Sequence, residues 1–405
     1  MIDTKDAVNT DVELSDVVAR FGDAYRSQYG NIMMPSHDKA LSDIEACCTE
    51  TLGGSRYSCD DCGEAFWHYH ACRNRSCPKC QGHKTEEWLA RREAELLPCE
   101  YFHAVATVPS ELRSLFYREQ KTMYGMLMQV AAEAVRTVCL KPRFLRAMPG
   151  ILAVLHTWTA QMDYHPHVHM LITGGGVTLG HKGGCQWSPT RDEYLVPVLL
   201  LSQTIAQMMH DRLKEEHPNL FRSVPRSVWR SSWVTFIKRY GHGNDAVLHY
   251  LSRYVQKIAI SNSRIIAIGK THVTFRYKDR KSNCWRTERL PGVEFLRRFL
   301  QHVLPRGFHK VRYYGLWHHT RREQASRAWL LLILQSNGPP ATMRVVDIVE
   351  AYQQLDELVS VMQNELDEQS DGETTVVTCP NCGSERTTRI ESRAPPGCYL
   401  SSDRD

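Results

Sequence analysis

Residues 165–169 read His-Pro-His-Val-His and lie inside an apolar strand pattern, Ile151 to Thr159 before them and Met170 to Thr173 after. Alternate strand positions share a face, so His167 and His169, with His165 in register, present their imidazoles side by side. Imidazole suits several divalent metals, and Mg²⁺ or Mn²⁺ held this way keeps positions open for phosphate oxygens. Gln161, Asp163, His165 and Gln256 are the candidates for a third ligand. The chain has 19 histidines, so chance clustering is the competing reading. A His-x-His strand that runs into Gly174-Gly175-Gly176 favours the metal.

Tyr250 and Tyr254 are four apart, which on a helix places both hydroxyls on one face. Arg253 and Lys257 lie among them, and Lys238 and Arg239 precede them. A phenol with a pKa near 10 is a poor nucleophile unless cations stabilise its oxyanion. Attack on DNA by such a tyrosine leaves a 5′-phosphotyrosine and frees a 3′-hydroxyl, which keeps the phosphodiester energy available for rejoining. The two features together point to a metal-assisted phosphotyrosine enzyme acting on nucleic acid.

Cys59-x2-Cys62 and Cys77-x2-Cys80 are separated by 14 residues, a spacing that predicts one Cys₄ zinc site, with Cys48 and Cys72 as alternates and His68 and His70 as spare ligands. The block is polar, so it depends on metal to fold. Arg73, Arg75, Lys79 and Lys84 surround it and suit a phosphate grip; a purely structural module with a solvated basic face is the plainer reading. Cys379-Pro-Asn-Cys382-Gly is a half-ribbon for which Cys398 offers a third ligand and nothing offers a fourth.

These residues need elements to hold them. Strands are predicted at 101–108, 151–159 and 165–173, and a hairpin at 264–268 and 272–277 turning on Gly269-Lys270. A strand is also predicted at 311–317. Helices are predicted at 85–97, 111–140, 190–217, 245–259, 291–303 and 321–334. Ile348, Tyr352, Leu355, Val359, Met362 and Leu366 form an a/d seam in an acidic segment. Five regions follow: a helical lead-in (1–46), a zinc-binding DNA-contact module (47–98), a catalytic domain (99–320), a helical region with the acidic amphipathic helix (321–372) and a tail with the half-ribbon (373–405).

Bulk properties agree. At 405 residues with 42% hydrophobic content, the chain is long enough for several domains. No apolar run spans a bilayer and no signal peptide is visible, so a cytoplasmic, nucleoid-associated bacterial location is expected. The 14 cysteines then read as metal ligands or reduced thiols. Net charge is +5, and setting aside the acidic stretch 347–373 leaves roughly +14 on the rest, which fits a polyanion partner. Arg222 to Arg239 and Arg306 to Arg322 interleave cations with Trp229, Trp233, Phe236, Phe308, Tyr313, Tyr314 and Trp317. That pattern suits stacking of unpaired bases, though such rings are as often core.

HPHVHMLITGGG followed by YLSRY resembles the HUH endonucleases. The wider match, through CRNRSCPKCQG, HTWTAQMDYHPHVH, YLSRYVQKIAISNSRI, VRYYGLWH and RAPPG, is to the IS-ninety-one-like family of two-tyrosine rolling-circle transposases. Ser76 stands where relatives commonly have His. The resemblance implies an α+β fold, with an HUH-endonuclease-like central antiparallel sheet flanked by helices, an N-terminal zinc-binding module and extra helical segments. It implies His167 and His169 as ligands of a catalytic Mg²⁺ or Mn²⁺, structural Zn²⁺, and Tyr250 and Tyr254 as alternating nucleophiles. The implied partners are single-stranded DNA at the ends of a mobile element and target DNA. With no P-loop in the chain, strand opening is left to host replication or supercoiling. A plasmid or phage replication initiator and a non-catalytic zinc-dependent DNA-binding regulator are the alternatives.

Overall fold

The computed structural model describes residues 12–81, 96–179, 185–191, 194–230, 233–255, 257–279, 281–337 and 377–395. Lys84, Gln256, Cys398, the acidic seam and nearly all of the helix expected at 85–97 lie outside them.

Strands Gly150–Trp158 and Tyr164–Thr173 form the middle of a five-stranded antiparallel sheet. Its order is Val311–Gly315, Gly150–Trp158, Tyr164–Thr173, Glu100–Thr107, Thr235–His242. Helices Gln120–Cys139 and Val198–Glu216 join one apolar core with Phe102, Ala104, Ile151, Ala153, Val168 and Met170. Tyr101, Leu152, Val154 and Leu171 instead meet Val247, Tyr250 and Val255 of helix Gly243–Tyr250 and its π-helical continuation Leu251–Val255. Cover on both faces explains why the histidine strand reads as nearly unbroken apolar sequence. The helix expected over 111–140 is divided: Arg113–Arg118 and Gln120–Cys139 meet at Glu119, whose φ of −114° and ψ of 44° leave the helical region.

A second core joins helices Leu14–Tyr29 and Pro35–Ala46 to helix Gly292–Leu300 and the small sheet Ile265–Ile268, His272–Lys278, Trp285–Pro291. Leu14, Val17, Val18, Phe21 and Tyr25 supply the buried stripe of the first helix. A Cβ on Gly292 would stand 2.3 Å from the Phe21 ring, so only glycine permits this close approach. The predicted hairpin is present; its third strand, Trp285–Pro291, was not expected.

The third sheet runs Thr387–Arg393, Gly54–Cys59, Ala65–Tyr69. It pairs a tail strand with the cysteine block. Among the described residues no helix is long and apolar enough to cross a membrane.

Candidate active site and cysteine clusters

His167 and His169 lie on one face of their strand with Nε2 atoms 3.1 Å apart. Both rings are buried, at 6% and 8% exposure. The Nδ1 of His167 sits 2.7 Å from the His165 carbonyl, which can only accept, so Nδ1 carries the proton and Nε2 a lone pair. His103, one strand over, places Nε2 2.9 Å from Nδ1 of His169. Burial, with Lys238 and Arg253 nearby, lowers the His103 pKa to about 4, so His103 is neutral. If His103 accepts from Nδ1–H of His169, both facing Nε2 atoms carry lone pairs and suit a shared cation. His156 sits directly across from His167 and completes a buried trio with their ligand atoms within 4.8 Å. Its Nε2 donates to the Tyr254 carbonyl at 2.6 Å, leaving Nδ1 as its lone pair. This donor set fits a divalent cation.

His156 was not among the third-ligand candidates. His165 falls outside the trio, with Nδ1 accepting from the Arg113 guanidinium at 2.8 Å. Asp163 is occupied with Thr159 and Arg298 on the turn before the histidine strand, and the Gln161 carbonyl accepts from Arg298.

The tyrosines differ in environment. The Tyr254 ring lies 4.1 Å from that of His169 and 4.9 Å from that of His103, with the Arg253 guanidinium 5.9 Å from its centre. Tyr250 is fully buried, and its hydroxyl has no hydrogen-bond partner. Burial, reinforced by Tyr254 and Tyr240, raises its pKa well above 10. Their rings are 4.9 Å apart, and the π-helical segment begins between them. The hydroxyls therefore do not share one accessible face as the spacing predicts.

The expected grouping of Cys59, Cys62, Cys77 and Cys80 around one ion is not what the chain forms. Cys77 and Cys80 join Cys47 and Cys72, with the Sγ of Cys47 3.6 Å from those of Cys77 and Cys80. Cys59 and Cys62 join Cys379 and Cys382. All these cysteines are free thiols. Cys72, an alternate in the sequence reading, is a member of the first cluster; Cys48 is exposed, its Sγ 3.8 Å from that of Cys47, and is not. The Cys47 cluster is buried in the second core, so the module leans on its neighbours for an apolar interior.

Residues 150–325 match the family described as "Putative transposase", and residues 17–108 match "Transposase zinc-binding domain". "Putative transposase y4qJ" of Sinorhizobium fredii is 34% identical over 361 residues, covering 85% of this chain and 90% of that protein. The chain belongs to the IS91-like transposase family. This transposase is also 27% identical over 339 residues to "Transposase for insertion sequence element IS801" of Pseudomonas savastanoi pv. phaseolicola, covering 78% of the chain and 79% of the relative. No solved structure matches it. The zinc-binding match spans the whole Cys47–Cys72–Cys77–Cys80 set, and four soft sulfurs at these distances fit a structural zinc ion.

The transposase spends part of its expected phosphate grip on its own fold. The Arg75 guanidinium donates to the carbonyls of Leu304, Pro305 and Phe308, and Lys79 pairs with Glu13 at 2.5 Å. Arg73, Arg253 and Lys257 are exposed. Trp233 and Phe308 are core; Phe236, 45% exposed on the edge strand Thr235–His242, is the ring of these two stretches most open to a base.

Proposed function

We propose that this transposase nicks single-stranded DNA at the ends of a mobile element with Tyr254, then transfers and rejoins strands with Tyr250 as second nucleophile. The observation that carries the reading is the Tyr254 ring lying 4.1 Å from that of His169, over the buried histidine trio. The antiparallel sheet with histidines on a central strand and tyrosines on a helix covering the same face supports an HUH-endonuclease arrangement, taken as residues 99–320.

His156, His167 and His169 would hold Mg²⁺ or Mn²⁺, which when bound draws charge from the scissile phosphate. His165 has no place in this set. His103 keeps His169 in the ligating tautomer. The Tyr254 oxygen attacks phosphorus and loses its proton; the bond from phosphorus to the 3′-oxygen breaks, and that oxygen leaves as a 3′-hydroxyl. A 5′-phosphotyrosine remains, so no hydrolytic water enters. Arg253 and Lys257, exposed beside Tyr254, would track the strand's phosphates, with Arg73 of the zinc-binding module engaging DNA further out. Tyr250 acts second because its hydroxyl is enclosed. Rewinding of the π-helical turn Leu251–Val255 is the movement that releases it, consistent with the tendency of π segments to sit at functional sites. Target DNA is the second substrate, host replication supplies unpaired strands, and the bacterial nucleoid is the place of action.

The test is incubation of the full chain with single-stranded oligonucleotides carrying element ends and Mn²⁺. A denaturant-resistant adduct should form, map to Tyr254, vanish with EDTA and persist in Tyr250→Phe. An adduct in the Tyr250→Phe/Tyr254→Phe double variant, or one surviving His167→Ala with His169→Ala, rejects the reading. DNA binding with no adduct under any condition favours the non-catalytic regulator.

A further inference from the structure

The second cysteine cluster lies half outside the family matches: Cys59 and Cys62 fall within the zinc-binding match, and Cys379 and Cys382 fall beyond both. We infer that Cys59, Cys62, Cys379 and Cys382 bind a second, separate zinc ion that clasps the tail segment onto the N-terminal module.

Three independent features converge. First, the sulfurs are spaced for a tetrahedral ion. Cys59 and Cys382 Sγ are 3.6 Å apart and Cys62 and Cys379 Sγ 3.7 Å, with all four within 4.8 Å. The edge of a tetrahedron with metal–sulfur bonds of about 2.3 Å is about 3.8 Å. A disulfide would need sulfurs at about 2.05 Å, so these pairs are not bonded to one another.

Second, the two Cys-x-x-Cys-Gly turns share one backbone design. The Cys59 amide donates to the Glu64 carbonyl and the Gly63 amide to the Cys59 carbonyl. The Cys379 amide likewise donates to Ser384, and the Gly383 amide to Cys379. Gly63 and Gly383 both take φ of +73°, a conformation open to glycine at no steric cost. Two turns from opposite ends of the chain, each aiming two sulfurs inward, make a closed structural site with no open position.

Third, the surroundings are matched across the pair. Asp61 accepts from Ser384 and Arg386, Thr388 donates to Asp60 at 3.1 Å, and the Asn381 amide reaches Cys62 Sγ at 3.8 Å. The aspartate contacts tie the two turns together, and the Asn381 amide offers a donor to one sulfur of the set. Strand Thr387–Arg393, pairing with Gly54–Cys59 directly beyond the knuckles, is almost wholly exposed along its length. It buries little apolar surface, so the ion would reinforce an attachment that otherwise rests on its ladder with Gly54–Cys59 and polar contacts.

Native mass spectrometry and thiol-displaced zinc assay of the purified full chain decide the matter, without reference to DNA chemistry. The expected content is two zinc ions per chain. Cys379→Ser with Cys382→Ser should hold one, and adding Cys59→Ser with Cys62→Ser should remove no more. Cobalt substitution guards against misfolding: the tail variant should lose half of the thiolate-to-cobalt absorption and keep the rest. Protease should cut within 377–395 faster in the tail variant. One zinc in the unaltered chain, two in the tail variant, or a mass deficit showing disulfides in freshly purified protein each overturns the clasp. If zinc counts hold while no DNA adduct forms, the clasp stands and the nicking proposal falls.

Discussion

His103→Ala tests whether the histidine trio is tuned by a neighbour that touches no substrate. His103 is 5% exposed, neutral, and placed to accept from Nδ1–H of His169. Its removal leaves a buried N–H without a partner, at about 1–3 kcal/mol, and frees His169 to move its proton to the ligating nitrogen. Loss of such an outer partner typically weakens metal affinity about 10- to 100-fold, or about 1.4–2.7 kcal/mol. The assay is a Mn²⁺ titration of adduct formation beside direct Mn²⁺ binding by electron paramagnetic resonance. Both midpoints should rise together by that factor while the zinc content stays fixed. His103→Gln, which keeps an acceptor near the same place, should recover most of the loss. An unchanged midpoint in the alanine variant, or a glutamine variant as damaged as alanine, refutes the reasoning.

Three further outcomes are expected. Tyr250→Phe removes a buried hydroxyl that has no partner, so thermal stability should stay level or rise by about 1 kcal/mol, and a clear fall would show a hidden bond. Arg75→Ala should cost about 2–3 kcal/mol in urea denaturation through its lost carbonyl contacts, whereas Arg73→Ala should leave stability alone and flatten the salt dependence of single-strand binding by about 0.7 in log–log slope. Burial holds the His37 pKa at about 4 against 6.5 unfolded, so the unfolded chain binds the extra proton and stability falls as pH drops from 6.5 towards 4. His37→Leu should reduce that slope by about 1.4 kcal/mol per pH unit, read from urea midpoints across the window.

What was legible in the chain follows from range. The two middle strands and the Gly269 hairpin could be read because burial on both faces and tight turns are local signals. His156 escaped because a register shift between His156 and Trp158 intervenes. The Thr159–Asp163 turn, extended without it, would set His156 opposite Pro166 and turn its ring to the other face; the irregularity restores it to His167. The division of the cysteines escaped for a different reason. Cys59 and Cys62 have partners 317 or more residues away, and nearest-neighbour spacing favoured Cys77 and Cys80. The repeated Cys-x-x-Cys-Gly pattern was the available clue. The edge strand Thr235–His242 reads only as a mixture of rings and cations, since its residues, half of them exposed and none fully buried, carry no apolar period.

Ser55 and Ser392 touch across 337 residues of chain, which sets a schedule for synthesis. At about 5–20 residues per second, a ribosome has the Gly54–Cys59 strand outside for roughly 20–70 s before its Thr387–Arg393 neighbour exists. Through that interval the nascent chain carries an unpaired strand edge and two thiols awaiting their counterparts, both open to wrong pairing. A product cut short upstream of Cys379 never closes either one. Translation to the final strand thus becomes a physical condition for a finished N-terminal module, so incomplete copies should be the ones that chaperones hold and proteases clear.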